Sequence, residues 1–134
     1  MNHREENEGR GGEPAKRFED LWIWQQARVL VGEVYRDFGV DSLATRDFGF
    51  RDQIRRAGIS VMNNIAEGFE RNTNADFARL LDIARGSAGE VRSMYFAAED
   101  LEYVTHEIAE SRRQRVRKIS AGIASLSKHL RSSS

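Results

Sequence analysis

No cysteine occurs in the 134 residues, which excludes disulfides, thiolate metal sites and a cysteine nucleophile and is compatible with a reducing compartment. There is a single proline, Pro14, and with 40% hydrophobic and 31% charged residues the composition suits helices rather than a strand-rich fold, which needs more turn residues and β-branched runs. No apolar run approaches the roughly 18 to 20 residues of a membrane span, and MNHREENEGRGGEPAKR lacks the apolar core of a signal peptide. The expectation is a cytoplasmic protein with no membrane partner. Histidine is scarce: His3, His106 and His129 cannot supply the two Glu-x-x-His motifs of a di-iron bundle. His106-Glu107 lacks the second histidine of a zinc-protease helix. The Arg and His five residues apart that all-α ribonucleases show are also missing, since Leu101 precedes His106 and Ala124 precedes His129. The sequence therefore predicts no enzyme, no metal and no cofactor.

Net charge is absent too. The formal charge is zero, which removes the global basicity of a dedicated nucleic-acid binder. The distribution is uneven: residues 18 to 104 carry 10 Lys and Arg against 15 Asp and Glu, net −5, whereas residues 105 to 134 carry 7 against 2, net +5.

What is present is helical periodicity in one domain's length of chain. Residues 1 to 17 offer nothing to bury and read as a flexible tail, residues 18 to 130 as one domain, and 131 to 134 as a frayed end. From Phe18, Leu21, Trp24, Ala27, Val31, Val34, Tyr35 and Phe38 recur on one broad face, with Gly39 as a stop. Trp22 and Val29 project from the opposite side and are candidate oligomer contacts. After a connection from Gly39 to Gly49, Asp47 caps a second helix with the core stripe Phe50, Ile54, Ala57, Val61 and Ile65. Thr73 with Asp76 resembles a capping box for a third helix, whose core face runs from Phe77 to Leu101. Gly86 and Gly89 interrupt it, each costing about 1 kcal/mol relative to Ala, so a tight crossing against the second helix is expected there. Thr105 caps a fourth helix with Ile108, Arg112, Val116, Ile119, Ile123, Leu126 and Leu130 in an alternating three-four rhythm. Short connections make the fold an all-α, antiparallel up-down-up-down four-helix bundle.

Particular residues then resemble a known family. Phe18-Glu19-Asp20-Leu21 with Trp24-Gln25 and Ala27, Asp52-Gln53-Ile54-Arg55-Arg56-Ala57, Asn64-Ile65-Ala66-Glu67-Gly68 with Arg71, and Ile83-Ala84-Arg85-Gly86-Ser87 are similar to the bacterial four-helix bundle proteins of 23S rRNA intervening sequences. The likeness covers about residues 18 to 126. It implies a left-handed bundle that assembles as a homopentamer. It also implies a distant kinship with retroelement accessory variability proteins, whose partners are nucleic acid and a reverse transcriptase. Val61-Met62-Asn63 stands where the family often has a proline, which implies a straighter second helix.

Two charged constellations follow. Ser60, Asn64, Glu67 and Arg71, with Arg85 and Ser87 across an antiparallel helix pair, form an expected structural network in which Glu67 and Arg85 make a partly buried ion pair. The basic run Arg112, Arg113, Arg115, Arg117 and Lys118 is the candidate nucleic-acid surface, extended by Arg55, Arg79 and Arg92. Repeated around an oligomer axis, a weak patch of this kind becomes a basic ring that binds RNA or DNA. The competing expectation is a scaffold that docks a reverse transcriptase or another protein without touching nucleic acid.

Overall fold

A computed structural model describes residues 14–133, and every structural statement below concerns these. A single 3-10 turn, Phe18–Asp20, leads into four α-helices: α1 (Trp22–Asp37), α2 (Phe48–Phe69), α3 (Asn74–Asp100) and α4 (His106–Ser132). Contacts join α1 to α2, α2 to α3, α3 to α4 and α4 back to α1, the closed ring of an antiparallel four-helix bundle. No strand forms among the described residues. The tail expected over residues 1 to 17 lies outside the described residues as far as 13, while Ala15 packs against the core. Of the end expected to fray over 131 to 134, α4 extends to Ser132 and Arg131 is tied to Asp82 on α3, while Ser134 lies outside the described residues.

The helix starts follow the capping chemistry of the sequence. Asp47 accepts from Phe50 N at 3.2 Å, Thr73 from Asp76 N at 3.1 Å and Thr105 from Ile108 N at 3.2 Å, each satisfying a donor that an uncapped first turn leaves unpaired. α2 runs unbroken through Val61-Met62-Asn63 and buries Ile54, Ala57, Val61 and Ile65. Its penultimate residue, Gly68, is a point of close approach: a Cβ there would stand 2.8 Å from Phe77 Cδ1 and 3.2 Å from Leu80 Cβ on α3. Gly86 and Gly89 do the reverse of what was expected. A Cβ on either meets nothing within 4 Å, so no tight crossing exists at them.

The core face of α1 is also rotated from the expected one. Leu21, Ile23, Ala27, Leu30, Val34 and Phe38 are buried, whereas Trp24 and Val31 are half-buried and Tyr35 is exposed. Glu33, 5% exposed, shares this rotated face, and its carboxylate turns inward to meet Arg112 and Arg115 on α4. At the far end of α3 the chain reverses through a Schellman turn, with Tyr103 N donating to Ala98 O at 2.8 Å and Glu102 N to Glu99 O at 3.0 Å. Glu102 occupies the left-handed position of that turn, φ 61°, where glycine is the usual residue.

Candidate functional site

Two carboxylates four residues apart on α1, Glu33 and Asp37, lie on one helix face, and Arg112 and Arg115, three apart on α4, lie on one face of the facing helix. The bundle brings the two faces together. Arg112 Nε and Nη2 donate to Asp37 Oδ2 and Oδ1 at 2.8 and 2.9 Å, a bidentate pair, while its Nη1 reaches Glu33 Oε2 at 3.0 Å. Arg115 donates to Glu33 Oε1 at 2.7 Å and to Gln26 Oε1 at 2.6 Å. From α3, Tyr95 Oη donates to Asp37 Oδ2 at 2.7 Å. Burial, reinforced by the Asp37 carboxylate, pushes the Tyr95 phenol far above its ordinary range, so it stays a donor. The Asp37 hydrogen bonds raise Arg112 above its already high value, against the opposing effect of burial.

Arg113 is held separately and more deeply, at 4% exposure. It donates to Glu99 Oε1 at 2.9 Å and Glu110 Oε2 at 3.0 Å and lies 4.2 Å over the Phe96 ring. Burial works against its charge, and the two carboxylates outweigh that cost. Glu99 also accepts from His106 Nδ1 at 2.9 Å, which raises the imidazole above its ordinary value.

Arg112, Arg113 and Arg115 are thereby corrected as phosphate ligands, because their donors are spent inside the bundle. Arg117 and Lys118 are exposed and have no ion pair among the described residues. Arg55 stacks 4.4 Å over Tyr35, Arg79 sits 3.9 Å from Asp76, and Arg92 lies 5.9 Å from the Phe96 ring. Trp22 packs against the core rather than projecting from it, so the expected outward pair reduces to Val29, which is 42% exposed beside Arg28 and Gly32.

The structural network divides in the same way. Ser60 and Ser87 share a hydrogen bond of 2.8 Å across α2 and α3, and Asn64 Nδ2 donates to Ser60 Oγ at 3.0 Å. The Glu67–Arg85 pair does not form. Glu67 takes Arg71, one turn away on its own helix, at 2.6 Å. Arg85 points to the opposite flank of α3, where it lines a groove of about 520 Å³ with Asp82, Ala124, Ser127, Lys128 and Arg131.

That groove holds what the sequence reading missed. Asp82 is consumed by Arg131 at 2.6 Å, and this hydrogen bond holds its carboxyl below the usual range. Arg85 and Lys128 face it with no ion pair among the described residues. By helical spacing Arg117, Ala121, Ala124, Lys128 and Arg131 form one stripe along α4, and Arg92, seven residues beyond Arg85, continues the α3 side. The signal was available as the repeat of cations and alanines along α4.

Four antiparallel helices, closed by a buried ionic seam and carrying an open basic groove, define a helical-bundle protein with no metal-holding cluster of His, Asp and Glu among the described residues. The chain belongs to the 23S rRNA-intervening sequence protein family, whose model matches residues 19–125. It is similar to the crystal structure of a protein of unknown function from the S23 ribosomal protein family of Bacteroides thetaiotaomicron VPI-5482, with 26% identity and a TM-score of 0.73, over 79% of this chain and 98% of that one. No curated protein matches it.

Proposed function

We propose that this protein is a non-catalytic accessory bundle that holds RNA or DNA by its phosphates along the α3–α4 groove, and that it works as a homo-oligomer. The observation that carries this reading is the groove itself: Arg85 and Lys128 face it unpaired, and its one carboxylate is already bound to Arg131. Cations on two helices flanking a shallow channel suit a phosphate backbone and carry no base-reading geometry, so binding is weakly sequence-selective. Assembly into the pentamer that the family resemblance implies repeats the α3–α4 stripe around an axis, which multiplies a weak contact by effective concentration.

Light scattering on the purified chain, combined with its 260/280 nm absorbance ratio, tests both parts together. The expected result is a particle larger than a monomer whose ratio is raised by nucleic acid after low-salt purification and lowered by a high-salt wash. A monomer with the ratio of clean protein at low salt contradicts the reading.

A second reading, a scaffold that docks a reverse transcriptase or another protein, draws on a different observation. Val40, Leu43, Phe48 and Leu101 are 76%, 77%, 72% and 54% exposed and all belong to the end of the bundle away from the groove.

A further inference from the structure

The end of the bundle formed by the C-termini of α1 and α3 and the N-termini of α2 and α4 differs from the rest of the molecule in several independent ways. A cavity of about 790 Å³ opens there between the loop at Val40 to Leu43 and the turn at Glu102 to His106. The aliphatic side chains at its mouth, Val40 and Leu43, are more than three-quarters exposed. Ser42, in the same wall, has a buried hydroxyl with no hydrogen-bond partner, the one such side-chain atom among the described residues. Glu102 holds its left-handed backbone on the opposite lip. An unsatisfied donor, a strained turn and uncovered aliphatic groups at one place are the features of a surface shaped for a contact.

The charges around it indicate the chemistry of that contact. Asp41, Asp100, Glu102 and Glu107 are exposed at this end without an ion pair, against Arg36 and Arg46, and the half-buried Asp47 and Arg51 offset one another, so the rim is acidic. Glu99 and Asp37 add nothing to it, being neutralised by His106 with Arg113 and by Arg112. Residues 1 to 13 lie outside the described residues and carry Met1 as their only large apolar side chain. We propose that this end is a docking cleft for a basic segment of a partner protein. The segment places aliphatic side chains against Val40, Leu43 and Val104 and Lys or Arg beside Asp41, Glu102 and Glu107. The cleft is separate from the nucleic-acid groove: His106 and Arg131 stand at opposite ends of α4, about 37 Å apart at 1.5 Å per residue.

Fluorescence anisotropy of labelled peptides against the full chain tests the proposal. The probe is a 15-residue amphipathic Leu/Lys peptide. A Leu/Glu peptide of the same pattern and a Ser/Lys peptide without apolar side chains are the comparisons. The Leu/Lys peptide is expected to bind, the other two to bind at least tenfold more weakly, and V40S/L43S to weaken the Leu/Lys peptide by at least tenfold. Arg85→Glu with Lys128→Glu, which disables the groove, is expected to leave peptide binding unchanged, so failure of the nucleic-acid reading does not carry this one with it. Should V40S/L43S prove poorly folded by circular dichroism, D41N/E107Q serves instead and is expected to cost severalfold in affinity. The proposal is overturned by equal binding of the Leu/Glu peptide, by equal binding to a folded cleft variant, or by V40S/L43S converting an oligomer to monomers, which would assign the cleft to a second copy of the chain.

Discussion

Arg112 shows how one side chain can change its meaning with its surroundings. In the sequence it is one cation in a basic run; in the fold it is 16% exposed and spends its guanidinium on Asp37 and Glu33. Removing it leaves Asp37 buried without a cation, with Tyr95 as its remaining donor, while Glu33 keeps Arg115, so Arg112→Met should destabilise the fold by about 3 kcal/mol. Arg117→Ala, on the open surface, should change stability by less than about 0.5 kcal/mol. Urea unfolding followed by circular dichroism separates them, and equal midpoints would refute the buried seam. Glu102 poses the opposite case. Glu102→Gly relieves a left-handed backbone that costs a residue with a Cβ about 1 kcal/mol, and a gain of about 0.5–1 kcal/mol is expected by the same measurement. The partners of Arg112 and Arg115 were not legible in sequence, because they lie 75 to 89 residues away and depend on how far α1 is rotated. Only the Glu33 and Asp37 spacing on α1 hinted at them.

The helices themselves were more legible, since a cap or an apolar period is a local property. Asp47, Thr73 and Thr105 each accept the backbone bond expected of them. The glycines were misread because their cost is visible in sequence while the neighbour that could justify it is not. That yields a contrast within one helix pair. Gly68→Ala pushes a methyl into Phe77 and Leu80 and should destabilise by about 1–3 kcal/mol, whereas Gly86→Ala and Gly89→Ala should each stabilise by about 1 kcal/mol. Thermal melts of the single variants check the signs, and a stabilised Gly68→Ala would contradict the close approach.

The α3–α4 junction adds a pH dependence. His106 is raised by Glu99, so its contribution is complete below the ordinary imidazole value of 6.5 and is lost as pH rises through the higher folded value. Glu99 is lowered, first by His106 and then by Arg113, so its contribution is complete above 4.5 and is lost as pH falls through the lower folded value. The melting temperature should therefore decline above about pH 6.5, and this decline should flatten in His106→Gln. An identical profile in the variant would show that the pair contributes nothing.

At the scale of the whole molecule the charge segregation seen in the sequence survives in altered form. Part of the positive excess of the last 30 residues is spent on α1 and α3, and Lys128 and Arg131 line the α3–α4 groove, while unpaired carboxylates gather at the other end. The most direct test of the account is the affinity of the full chain for a single-stranded RNA oligonucleotide as a function of salt, beside the Arg85→Glu/Lys128→Glu variant. About three phosphate contacts predict a log–log slope near −2 for the wild type, with binding abolished at low salt in the folded variant. No binding at low salt, a salt-independent affinity, or an unchanged affinity in the variant would contradict it.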